Sequence, residues 1–199
     1  MRATLQLPRT ATYADYLAVE RQSEWRHELI DGVIVAMAGG SDEHNAIAGR
    51  FAMLLGLRLQ RGCHYYTPDQ RFWIGARGRS RYADGSVVCG KPSHPSHDDQ
   101  ATSNPTIVLE VLSPSSEGDD AGEKRRDFQS LATLRAYILA AQDQRSLQVY
   151  LRDDDGRWRE EPESYATGER FSLPELTGPI AVDDIYGDIL DTAGRSLLR

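Results

Sequence analysis

The seven residues Thr106-Ile107-Val108-Leu109-Glu110-Val111-Leu112 constrain this chain more than any other stretch. Apolar and partly β-branched on both faces, they read as a central strand covered from two sides. Glu110 stands inside that strand. Burying a carboxylate there costs several kcal/mol unless it is paired or binds a metal. One segment therefore predicts both a covered sheet and a carboxylate with a task.

The flanking sequence supplies the layers. Thr12 can cap a helix from Tyr13 to about Gln22, and Ser41 a second one from about Asp42 to Gln60. In the second, Ile47, Phe51, Leu54, Leu55 and Leu59 recur at spacings of three and four, so one face is buried. Between the helices, Asp31-Gly32 joins two short apolar runs within His27–Met37, a hairpin signal. Strands are expected at Cys63–Thr67, Arg71–Ile74, Tyr82–Cys89, Ala136–Ala140, Leu147–Leu151 and Arg157–Glu161, and a helix at about Asp119–Leu131. The polar stretch 90–105 reads as a mobile loop, and the tail from Phe171 as irregular packing on the core. Helices flanking a mixed sheet place the chain in the α/β (α+β) class.

At 199 residues the chain suits one domain over 1–199, and 40% hydrophobic with 27% charged residues excludes a disordered chain. No apolar run approaches the roughly 18–20 residues of a membrane span. The first eight residues lack the apolar stretch of a secretory signal. Cys63 and Cys89 are too few for a disulfide framework or a cysteine zinc site, so a reducing cytoplasm is expected. The net charge of -7 argues against electrostatic coating of nucleic acid. An enzyme that meets nucleic acid through one local basic patch stays open.

Asp84 interrupts apolar strand sequence as Glu110 does. Two such carboxylates on neighbouring strands suit a hard cation such as Mg²⁺, which takes one or two carboxylates and completes its shell with water and substrate phosphate. In the helix that follows, Ala121, Lys124, Phe128 and Leu131 share a face, so Lys124 projects from the apolar stripe. A lysine there either snorkels to water at the helix edge or enters the site. Two carboxylates and a lysine are the minimal set for metal-assisted phosphodiester hydrolysis.

With Arg26-His27-Glu28-Leu29-Ile30-Asp31-Gly32, His44-Asn45, Tyr82-Ala83-Asp84, Glu110-Val111-Leu112-Ser113-Pro114-Ser115-Ser116 and Gly122-Glu123-Lys124 in this order, the chain resembles the Uma-type restriction endonuclease family. That family is a branch of the PD-(D/E)xK nuclease superfamily, and the likeness runs over about residues 10–190. It implies a restriction-endonuclease-like fold, metal ligation by Asp84 and Glu110, and a Mg²⁺ or Mn²⁺ cofactor. The usual lysine position holds Leu112, and Lys124 fits the lysine that this branch takes from the next helix. Glu28 matches an acidic position that can face the metal, and His44 a position without an assigned role. Two departures stand out: Ala83 replaces the proline, and Gly85 replaces an apolar residue, which should weaken packing behind Asp84.

The expectation is a metal-dependent endonuclease acting on DNA, cytoplasmic, and a homodimer as the family implies. The alternative is a catalytically idle descendant of the fold that serves in binding or assembly. Arg71, Arg77, Arg79 and Arg81 run up to Asp84 with no acid between Asp69 and Asp84, so they are either a solvated hairpin or the rim that contacts DNA phosphates. His94-Pro95-Ser96-His97-Asp98-Asp99 reads as a solvated loop rather than a metal cluster. No phosphate-binding glycine loop and no Gly-x-Ser-x-Gly elbow occurs.

Overall fold

The computed structural model describes residues 4–5, 10–113, 117–189 and 196. After β1 (Thr4–Leu5) comes α1 (Tyr13–Gln22), started by a reciprocal cap. The Asp15 N–H donates to the Thr12 hydroxyl at 3.2 Å, and the Thr12 N–H donates to the Asp15 carboxylate at 2.8 Å. β2 (His27–Ile30) and β3 (Val33–Ala36) form the expected hairpin, with Asp31 and Gly32 at φ of 49° and 76°. Ser41 caps α2 (Asp42–Arg58), which buries Ile47, Phe51, Leu54 and Leu55.

Then follow β4 (Cys63–Tyr66), β5 (Arg71–Ile74), a 3-10 turn at Gly75–Arg77, β6 (Arg79–Tyr82), β7 (Gly85–Cys89), β8 (Ala101–Thr102) and β9 (Ile107–Leu112). Two short helices, α3 (Glu117–Asp120) and α4 (Glu123–Gln129), lead to β10 (Ala136–Ala141), β11 (Ser146–Leu151) and β12 (Glu163–Ala166). The pair β13 (Arg170–Phe171) and β14 (Ile180–Ala181) precedes α5 (Val182–Tyr186).

These strands form two mixed sheets, ordered β1-β3-β2-β6-β5-β8 and β12-β11-β10-β9-β7-β4. β9 lies inside the second, parallel to β10 and antiparallel to β7. Its Ile107, Leu109 and Val111 join α2 and α5 in the larger core, while Val108 and Leu112 pack with Phe128 of α4 on the other face. The arrangement is an α+β fold of two mixed sheets flanked by helices.

Several expectations are corrected. The single strand expected at Tyr82–Cys89 is two strands in different sheets, and the chain crosses between them at Ala83-Asp84. Side chains replace the ladder there: Glu28 accepts the Tyr82 N–H at 3.0 Å, and Asp84 accepts the Val111 N–H at 2.7 Å. The helix expected at Asp119–Leu131 breaks at Gly122, where φ is -108° and ψ -99°. The stretch 90–105, expected as a loop, carries the short strand β8, and its buried Asp98 accepts from Arg71 and Tyr13. His97 in that stretch packs edge-on against Tyr13 and Trp73 while staying exposed. The strand expected at Arg157–Glu161 is a single bridge, Arg152 to Trp158, and the strand itself comes later, as β12. Parts of the tail are regular, as β13, β14 and α5. Cys63 and Cys89, read as too few for a disulfide framework and as pointing to a reducing compartment, face each other across β4 and β7 and form a disulfide.

Candidate active site

Asp84 and Glu110 meet because β7 and β9 pair antiparallel with Gly85 opposite Leu109. Continued by one residue, that register sets Asp84 across from Glu110. Alternation then puts Glu110 on the α4 side of the sheet, between Val108 and Leu112. α4 packs over that face, and Lys124 points down from it: its Nζ lies 2.8 Å from Glu110 Oε2 and 3.4 Å from Asp120 Oδ1. Glu110 and Lys124 are buried, with side chains 1% and 5% exposed. Asp84 is the open member at 20%, and His44 Nε2 lies 3.0 Å from its Oδ2.

Opposing charges and burial set the protonation of this group. Burial opposes ionisation of Asp84, but the His44 hydrogen bond, the Lys124 charge and the Val111 N–H outweigh it and hold its pKa below the usual value. Burial drives the Glu110 carboxyl well up; Asp120 and Asp84 add to that, against the pull of Lys124. Burial also opposes the Lys124 charge, yet Glu110, Asp120, Glu28 and Asp84 raise it above its ordinary value. The lysine is thus held as an ammonium that donates. For His44 too, burial is outweighed by Asp84 and Asp120, and its pKa rises.

Glu28 is buried behind the site, where its carboxylate accepts from Arg81 and from the Tyr82 N–H. The arginine run has a different place from the one expected. Arg81, with no exposed side-chain surface, reaches Asp127 at 2.8 Å, Glu28 at 3.1 Å and Asp119 at 3.2 Å. Arg79 is held by Asp31, Asp127 and Glu123, and Arg71 by Asp98. These three are internal struts, not an exposed phosphate-binding rim. The sequence spacing hid this because their acidic partners lie far away in the chain. Arg77, 38% exposed and 3.4 Å from Asp127, retains a surface.

Sequence reasoning missed Asp120 and Asp127 and left His44 without a task. Each lies on or beside a helix terminus, where a polar residue breaks no pattern. A cleft of about 210 Å³ opens beside the site, lined by Leu112, Leu139, Gln142 and Gln148 among others, and Leu139 is the register partner of Glu110. Pro114, Ser115 and Ser116, which carry part of the resemblance, lie outside the described residues.

The residues present fit a hard divalent cation. Glu110 Oε1 and Asp120 Oδ1 are buried without a hydrogen-bond partner. Asp84, Glu110 and Asp120 bring three carboxyl groups around one ammonium, oxygen donors of the kind a hard cation takes. Among the described residues no group of three or more His, Cys, Asp and Glu could hold an ion outright. A cation here would depend on water and substrate oxygens to complete its shell, as Mg²⁺ commonly does.

Residues 13–182 match the model of the Uma2 family, described as "Putative restriction endonuclease". An uncharacterized protein of Synechocystis, slr1290, is 33% identical over 173 residues, covering 86% of this chain and 89% of its own. A second Synechocystis protein, sll1609, also uncharacterized, is 30% identical over 148 residues, 74% of this chain and 84% of its own. In shape, the chain is similar to the crystal structure of "a putative nuclease belonging to DUF820" from Anabaena variabilis. The two share a TM-score of 0.70 at 17% identity, over 87% of this chain and 96% of that one. The chain belongs to the Uma2 family of nuclease-like proteins with a restriction-endonuclease fold.

Proposed function

We propose that this chain is a divalent-cation-dependent endonuclease that hydrolyses phosphodiester bonds of DNA. The observation that carries the reading is the buried meeting of Asp84, Glu110 and Lys124 where the chain crosses between two sheets. Asp84 and Glu110 would hold Mg²⁺ or Mn²⁺. When bound, the cation supplies Lewis-acid charge at the scissile phosphate. Lys124, held charged, donates toward the attacking water or a phosphate oxygen and does not take a proton. His44 fixes the orientation of the Asp84 carboxylate, and Glu28 holds the end of β6 that leads to it.

With Arg71, Arg79 and Arg81 turned inward, Arg77 is the member of the run left to contact phosphate. The chain works in this reading as one domain and as a homodimer, with one site for each strand of a duplex. Among the described residues no helix is long and apolar enough to cross a membrane.

The test is supercoiled plasmid incubated with purified protein in Mg²⁺, Mn²⁺ or Ca²⁺. Cleavage is expected with Mg²⁺ or Mn²⁺, and is lost in Asp84→Ala and in Glu110→Ala. Lys124→Ala is expected to slow it about 100- to 1,000-fold, the scale of one lost charge-stabilising donor. No cleavage and no Mn²⁺ binding by the parent would leave the idle-module reading in its place.

A further inference from the structure

We infer that Asp120 is a positioning residue, the second station for the Lys124 ammonium when Glu110 takes up a cation. The inference rests on the metal-site reading above and adds Asp120, a residue that reading does not use. Lys124 Nζ stands between two buried carboxylates, in hydrogen-bond contact with Glu110 Oε2 at 2.8 Å and at ion-pair distance from Asp120 Oδ1 at 3.4 Å. Asp120 is 3% exposed, and its Oδ1 has no hydrogen-bond partner. Buried polar atoms are nearly always satisfied, so an orphaned carboxylate oxygen facing an ammonium calls for a reason.

That reason lies in the conflict at Glu110. As long as the ammonium occupies Oε2, a cation arriving at Glu110 meets a like charge a few ångströms away. Releasing a lysine from its only buried partner would strand a charge out of water, which is costly. Asp120 removes that cost. It sits four residues before Lys124, at the end of α3, and the break at Gly122 separates the two. Its carbonyl accepts from Tyr137 Oη at 2.9 Å, which anchors it to β10. A small rotation about the outer bonds of the lysine therefore exchanges one partner for the other without moving the backbone. Lys124 then stays inside the site, charged and aimed at the same space, while Glu110 is free for the cation.

The test is Mn²⁺ affinity, measured by calorimetry or electron paramagnetic resonance on the parent, Asp120→Asn, Lys124→Met and the double variant. Asp120→Asn is expected to weaken Mn²⁺ binding roughly tenfold, because Lys124 stays locked on Glu110. In the Lys124→Met background the same change should have little effect, since nothing must be displaced. Equal weakening in both backgrounds would mean that Asp120 acts only by its charge, and would overturn the inference while leaving the metal site standing. A parent that binds no Mn²⁺ would overturn both. The unaltered protein gives a second reading should Asp120→Asn not fold. In crystals soaked in Mg²⁺, Lys124 Nζ should lie closer to Asp120 Oδ1 than to Glu110 Oε2, and an ammonium still on Glu110 beside a bound cation would refute the exchange.

Discussion

Gly85 and Tyr65 share one volume next to Asp84. A Cβ on Gly85 would lie 2.2 Å from Tyr65 Oη and 2.9 Å from its Cζ, and that hydroxyl donates to the Asp84 carbonyl at 3.4 Å. The gap expected behind Asp84 is therefore filled, from β4, by an aromatic ring. Gly85→Ala should cost about 1–3 kcal/mol by overpacking, read from urea unfolding. Adding Tyr65→Leu should recover most of that loss; a silent Gly85→Ala would show that the ring moves aside freely. At this scale the sequence exposed Asp84, Glu110 and Lys124, because each breaks an apolar pattern that physics would otherwise keep intact. His44, Asp120 and Asp127 break none. Their meaning lies in partners 40 to 48 residues away for His44 and Asp127, and in a backbone break for Asp120.

Among the elements, α4 has two loyalties. One side delivers Lys124 to the second sheet, and the other sets Asp127 between Arg79 and Arg81 of the first. Asp127 has no exposed side-chain surface, so Asp127→Ala would take a buried partner from both Arg79 and Arg81. The expected loss is about 3–5 kcal/mol, measured by denaturant unfolding. If cleavage is the activity, it should fall more steeply than stability, since the same helix carries Lys124. Unchanged stability would mean that Asp31, Glu28 and Glu123 suffice to hold the arginines. Hydrophobic periodicity located most elements here but not their division. Tyr82–Cys89 reads as one strand because alternation does not tell which sheet each half joins. The helix at Asp119–Leu131 reads as continuous because one glycine is tolerated within a helical pattern.

For the whole molecule, a net charge of -7 coexists with an interior that takes in four cations, Arg71, Arg79, Arg81 and Lys124. The Arg71–Asp98 pair illustrates what this does to acid stability. Burial works against the Asp98 charge, but Tyr13, the Gln100 N–H and Arg71 outweigh it and lower its pKa. A carboxylate with a depressed folded pKa contributes stability that is full above its unfolded value, about 4, and is lost as pH falls through the folded one. Asp98→Asn should therefore be less stable than the parent at pH 7, and the two melting curves should converge below about pH 4. A gap that persists in acid would assign the loss to packing rather than charge. The buried guanidinium–carboxylate lattice under α4 has one more consequence, in how the molecule answers temperature. The hydration that such charges give up becomes less favourable as temperature rises, whereas apolar burial gains little more. The seam between the two sheets thus tightens relative to the cores when warm, and cold weakens first the contact that keeps the lysine over its carboxylates.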